Sequence, residues 1–326
     1  MKNMLWAELI AERQRMDELR SSYDELRSSC EKLRSAYGEL QERADQLQRD
    51  RDGYVRAYET ASTESAHRMD RHVRMIGALR KLGQSKQSLP PGLEGRQLCF
   101  LHIGKTAGTS VQHALMETFF DASIFHDSLI QFDAVFPEEL ALYDVVLGHF
   151  MFQHVAKLRS SRFLFTFVRD AVDRVVSNYY FLREDSPSSP HSDAAINAAR
   201  RLSLKEFLLV EDPQIRMITS NFQANAIARD IRPELKTGEN LLAEARANLQ
   251  KFDFVGVADR LPQSMAALSK KLGLARALPT KTMNVTSARK SAPPPTPEEV
   301  EIIVSLNAAD IALYADAVAM GHFQEG

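Results

Sequence analysis

Cysteine is nearly missing from this chain, whose 326 residues carry only Cys30 and Cys99. The two lie far apart and outside any metal-ligand spacing, so they offer neither a disulfide framework nor a zinc site. An excess of one charge is missing too. The formal net charge of −2 excludes the global basic character of a nucleic-acid-binding protein. No apolar run reaches the roughly 20 residues of a membrane-spanning helix. The opening MKNMLWAELIAERQR is too charged for a secretory signal. These absences lead to the expectation of a cytoplasmic protein with neither nucleic acid nor a membrane span. Asn284-Val285-Thr286 matches a glycosylation acceptor, but without a secretory signal the match carries little meaning. With 44% hydrophobic residues, the chain can bury a sizeable core.

What is present divides the chain in three. Residues 1–82 repeat in sevens: DELRSSY, DELRSSC, EKLRSAY, GELQERA. Leu19, Leu26, Leu33, Leu40 and Leu47 share one heptad position, and Met16, Tyr23, Cys30, Tyr37 and Ala44 share its companion. Leucine at d sustained over more than four heptads predicts a coiled-coil helix. A lone helix this polar would have nothing against which to bury its leucine stripe, so a homo-oligomer is implied. Residues 83–95, GQSKQSLPPGLEG, form a linker in which Pro90-Pro91-Gly92 stops any helix. The globular domain spans 96–326.

That domain opens on LCFLHIGKTAGTS, residues 98–110. Leu98 to Ile103 reads as a buried strand. Gly104 and Gly108 break it, and from Val111 the apolar residues fall at helical spacing. Strand, small-residue loop and helix point backbone N–H groups and a helix N-terminus at one spot, an anion site for phosphate or sulfate. Lys105 adds a positive charge, and Thr109 and Ser110 add hydroxyls. A Walker A loop would need four residues between the glycines and a Lys-Ser/Thr pair after the second. Here three intervene and the lysine follows the first, so this is not the standard ATP or GTP loop.

Two more strands carry chemistry at their C-terminal ends, where open α/β sheets bind ligands. Val145 to Leu147 leads to Gly148-His149, and His149 is a candidate general base. His154, farther along, is a weaker one. Phe163 to Val168 leads to Arg169 and a helix from Asp170 to Leu182. Arg169 and Ser177 make a second anion site. Phe254 to Val257 reads as a fourth strand. Residues 213–228 and 238–250 read as helical, as does the stretch after the capping box Ser203–Glu206. Thr296-Pro297-Glu298-Glu299 opens the final helix.

HIGKTAGTS followed by FVRDAVDRVVSNYY resembles the sulfotransferases that use 3′-phosphoadenosine-5′-phosphosulfate (PAPS). More narrowly, it resembles the carbohydrate sulfotransferases related to the heparan 2-O-sulfotransferase. The resemblance implies an α/β fold, with a P-loop-like domain whose central parallel sheet is flanked by helices. It implies that Lys105, Thr106, Ala107, Gly108, Thr109 and Ser110 hold the 5′-phosphosulfate, and that Arg169 and Ser177 hold the 3′-phosphate. It implies His149 as catalytic base, Lys105 as stabiliser of the leaving group, and a carbohydrate or other hydroxyl acceptor. Gly104 stands where the family usually has proline, and Ala107 where it usually has its first glycine. In related enzymes a loop at the place of KTMNVTSARK, residues 281–290, covers the cofactor, so Arg289 and Lys290 become candidate 3′-phosphate contacts; from composition alone this is a solvated basic loop. Sulfuryl transfer needs less charge neutralisation than phosphoryl transfer, so no metal is expected. Two other readings stand beside this one: a kinase-like P-loop enzyme, and a coiled-coil scaffold with a non-catalytic nucleotide-binding domain.

Overall fold

The structure, a computed structural model, describes residues 89–324 apart from 128–131, 134, 185–192, 229–238 and 281–291, together with scattered positions between 13 and 43. The chain divides into two units, Met1–Lys81 and Leu82–Gly326. In the first, every described position is helical. The five heptad leucines lie outside the described residues, as do Arg289 and Lys290. The companion-position residues Met16 and Tyr37 are 66% and 68% exposed in the single chain.

The second unit is built on five parallel strands: β1 (Gln97–Leu101), β2 (Ile124–Asp127), β3 (Val145–Gly148), β4 (Arg162–Val168) and β5 (Phe254–Val257). Their order across the sheet is β2-β3-β1-β4-β5. The α/β expectation therefore holds, with a strand more than the four read from sequence. β2 escapes that reading because IFHD is four residues long and half polar. The pairings Leu101↔Gly148 and Leu101↔Thr166 end β1 level with β3, while β4 runs two residues further, to Val168. From β1 the chain leaves toward β2, and from β4 it leaves toward β5. The crevice between those two strand ends is thus the switch point at which such sheets bind ligands.

Among the described residues, the α-helices of six residues or more in this unit are α1 (Gly108–Thr118), α2 (Ala171–Glu184), α3 (Asp193–Arg201), α4 (Leu204–Leu209), α5 (Pro213–Thr219), α6 (Phe222–Ala228), α7 (Glu239–Leu249), α8 (Leu261–Lys271), α9 (Pro297–Leu306) and α10 (Ala308–Met320). The sequence-predicted capping box at Ser203 forms. Thr296, expected to open the final helix, forms a second one at the start of α9, after which α10 follows as a separate helix. Ser203 accepts from the Glu206 N–H, and Thr296 accepts from the Glu299 N–H. Each such cap is worth about 1 kcal/mol. One face of the sheet, lined by Leu98, Phe100, Leu147, Phe165 and Phe167, is buried against Val111 and Leu115 of α1 and Met265 and Leu268 of α8. Phe100 and Phe165 stack with ring centres 4.8 Å apart. A second apolar cluster joins Val175, Val176 and Tyr179 of α2 to Phe207 of α4 and Ile303 of α9. The stretch 213–228 is two helices rather than one. Asn221 adopts φ +46° and breaks it, a conformation asparagine tolerates better than most residues. Among the described residues no single helix is long and apolar enough to cross a membrane.

Candidate active site

The first motif forms the turn between β1 and α1. Lys105 and Ala107 sit at φ +68° and +64°, with Thr106 between them on the ordinary side. Alternation of this kind curls successive amides toward one point. Ala107 occupies a left-handed position at a cost of about 1–2 kcal/mol, which is why a glycine there is the usual choice. The N-cap residue, Ala107, has no side chain that caps α1, and the positive dipole end of the helix faces the loop. The Thr106 hydroxyl donates to the Ile103 carbonyl at 2.8 Å. It braces the loop, and what Thr106 offers a ligand is backbone. Ser110 is buried in the first turn and Thr109 is exposed.

The second motif meets the first across the crevice. The Arg169 guanidinium donates to the Lys105 carbonyl at 3.3 Å, and it lies 3.7 Å from Asp259 and 3.9 Å from Asp173. The Lys105 ammonium lies 3.8 Å from the centre of the Phe181 ring on α2, a cation–π contact. Asp173, Ser177 and Phe181 follow at four-residue steps, which puts them on one helix face. Lys105 is therefore held over the face that carries Ser177, one turn away. Asp170 spends an oxygen capping α2, accepting from the Asp173 N–H at 3.0 Å.

His149 completes the crevice. Gly148 has φ +147°, a value open to glycine alone, and it turns the next residue out of the sheet. His149 is exposed, and its Nδ1 lies 2.9 Å from the His102 carbonyl. A carbonyl only accepts, so Nδ1 carries the proton and Nε2 keeps the lone pair. The ring is backed by the His102 ring, 4.0 Å away between centres. His102 in turn stacks on Phe100, and Phe100 on Phe165. A column of four rings thus runs from the core to His149. Burial, then the charges of His149, His126 and Lys105, push the His102 imidazole well below its ordinary value, so it stays neutral at neutral pH. His154 is placed otherwise. It is buried, with Nε2 2.7 Å from Asp133 and Nδ1 accepting from the Met151 N–H. Both nitrogens are taken up in holding its turn together.

His102 was not singled out from sequence as a functional residue. The signal was present in the motif itself, three residues ahead of Lys105 and six ahead of Gly108. A Cβ on Gly108 would fall 1.8 Å from the His102 ring. Gly108 is thus the gap into which His102 fits, and through His102 the His149 ring is packed against the start of α1. Among the described residues no cluster of three or more His, Cys, Asp or Glu side chains is arranged to hold a metal ion.

Among curated proteins none matches the chain. A family profile does. The sulfotransferase family matches residues 94–315, a stretch that begins just before β1, takes in both anion motifs and Gly148-His149, and ends within α10. With a match that covers more than half its length and spans the switch point of the sheet, the chain belongs to the sulfotransferase family.

Proposed function

We propose that this sulfotransferase transfers the sulfuryl group of PAPS, the donor typical of the family, to a hydroxyl of a carbohydrate or glycan-like acceptor. The observation that carries the reading is the meeting of Lys105, Arg169 and His149 at the ends of three adjacent strands. The donor set fits PAPS. A helix N-terminus and an ammonium suit the 5′-phosphosulfate, and a guanidinium, with the Ser177 hydroxyl two turns along α2, suits a 3′-phosphate. When bound, PAPS supplies an activated sulfuryl group. His149 takes the proton of the acceptor hydroxyl at Nε2, while its Nδ1–H stays on the His102 carbonyl and steadies the imidazolium that forms. Lys105 and the amides of the loop face the negative charge that builds on the oxygen left behind. The Gly148-His149 pair, matching the pattern of the 2-O-sulfotransferase branch, favours a carbohydrate acceptor. A kinase-like reading is disfavoured by the loop spacing and by an arginine and serine suited to a 3′-phosphate.

The test is nucleotide selectivity. Adenosine 3′,5′-bisphosphate and AMP differ only in the 3′-phosphate, so titration calorimetry with both isolates that group. The bisphosphate is expected to bind more tightly. Arg169→Ala is expected to remove about 1.5–3 kcal/mol of the preference, the range for a charge-assisted hydrogen bond. Equal affinity of the unmodified protein for both nucleotides would contradict the assignment.

The same reading gives residues 1–82 the role of an oligomerisation stalk, most simply a parallel dimer. Its support is the heptad pattern together with the exposure of Met16 and Tyr37, which a second helix would cover. Sedimentation at micromolar concentration is expected to give a dimer, and deletion of 1–82 a monomer. A full-length chain that sediments as a monomer would end this part of the proposal.

A further inference from the structure

Arg169 lies in the two-residue gap between β4 and α2, where neither ladder completes its backbone bonds. One side chain completes both. The Arg169 N–H donates to Gln223 Oε1 at 2.9 Å, and Gln223 Nε2 donates back to the Arg169 carbonyl at 2.9 Å. This is the pairing a neighbouring strand would give, supplied by an amide that is itself 1% exposed. It fixes the point from which the guanidinium reaches across the crevice.

Gln223 is fixed in turn from the far end of the chain. It sits in the first turn of α6, whose N-terminus is capped by Asp310 of α10. Asp310, 0% exposed, accepts from the Gln223 N–H at 3.2 Å and from the Ala224 N–H at 2.7 Å. The capping is mutual. Asn221, just before α6, accepts from the Ala309 and Asp310 N–H groups at 3.0 and 3.3 Å. Asn307, just before α10, accepts from the Asn221 N–H at 2.9 Å. Arg174 of α2, buried with its Nε 3.9 Å from Asp310, supplies the opposite charge. The left-handed Asn221 that splits 213–228 is the hinge that makes this arrangement possible.

We propose that Gln223 is a positioning residue for the 3′-phosphate site, holding Arg169 from a platform formed where α6 and α10 cap each other. The proposal rests on the reading of Arg169 as the 3′-phosphate ligand. Gln223 is not itself a ligand, because its amide is committed to Arg169 and is buried. Small displacements of a charged contact are costly, with about 1 Å worth as much as 10²-fold. The effect of losing Gln223 is therefore expected in selectivity rather than in general nucleotide binding.

The experiment measures affinities for adenosine 3′,5′-bisphosphate and AMP in the full-length protein, with thermal unfolding followed alongside. Gln223→Met, similar in size but without the paired hydrogen bonds, is expected to reduce the preference for the bisphosphate at least about 10-fold, while AMP affinity stays within about twofold. In an Arg169→Ala background the same change is expected to do nothing further to the preference, because the two residues act as one unit. Gln223→Asn keeps the amide chemistry but shortens its reach. It is expected to give the same loss, and it carries the test if the methionine variant does not fold. If Arg169→Ala abolishes the preference while both Gln223 variants keep it, or if they weaken both nucleotides equally, the positioning role is overturned and the Arg169 assignment stands. If Arg169→Ala itself leaves the preference intact, the assignment fails and the positioning role falls with it.

Discussion

Replacing His149 with alanine is expected to lower turnover by about 10²–10⁴-fold, the range for loss of a general base, and to leave binding of adenosine 3′,5′-bisphosphate nearly unchanged. The separation follows from the geometry. His102 holds the ring, backing it with its own ring and accepting from its Nδ1 at the carbonyl. The groups that would meet the nucleotide, Lys105 and Arg169, follow β1 and β4 rather than β3. The imidazole acts as a base only when neutral, so turnover is expected to rise with pH as the ring loses its proton and then to level off. In the alanine variant that limb should vanish along with most of the rate. The measurement is transfer of labelled sulfate from PAPS to a panel of glycans and simple alcohols across a pH series. Near-wild-type turnover in His149→Ala would place the base elsewhere. His154 would not then be the obvious substitute, since Asp133 and the Met151 amide already occupy its nitrogens.

The parts of this molecule legible in its sequence are those in which neighbouring residues determine the outcome. The apolar run from Leu98, the glycine-broken loop and the helical spacing after Val111 all express local rules, and together they locate β1, α1 and the turn between them. The expected strand runs to Ile103, but β1 closes at Leu101, because the chain begins its turn as soon as the ladder with Gly148 is complete. Arg169 and His149 are legible for a similar reason: each follows a buried strand directly. What stayed hidden is set by distance along the chain. Gln223 acts on a residue 54 positions earlier, and Asp310 on residues 87 and 86 positions earlier. No period or spacing encodes such pairings. The helix break at Asn221 was hidden too, since the two short helices share one apolar pattern and only the caps from Asn307 and Asp310 make the break favourable. His102 lay in plain view, yet its part depends on an absence, the missing side chain of Gly108, which has meaning only once the ring is seen to fill it.

Lys105 is expected to behave differently from His149, losing both binding and rate. Its charge meets the anion already in the ground state and meets more charge as the leaving oxygen develops. Lys105→Ala should therefore weaken adenosine 3′,5′-bisphosphate by about 10-fold or more, as for loss of a charge-assisted contact. It should also lower turnover by about 10²–10³-fold, as for loss of one donor to a developing oxyanion. Two controls separate charge from structure. Alanine at 105 suffers the same left-handed backbone as lysine, φ +68°, so the loop gains no new strain from the exchange. Lys105→Met keeps an unbranched chain to lie against Phe181, where the ammonium now sits 3.8 Å from the ring centre, and removes only the charge. Methionine and alanine are expected to be equally impaired if charge is the cause. Arginine is expected to restore binding more than rate, because its wide planar head cannot place a point charge where the ammonium goes. Saturating PAPS distinguishes the two effects. A lysine that served binding alone would leave the maximal rate intact, and a full recovery of turnover in Lys105→Met at high PAPS would remove the leaving-group role while keeping the binding one.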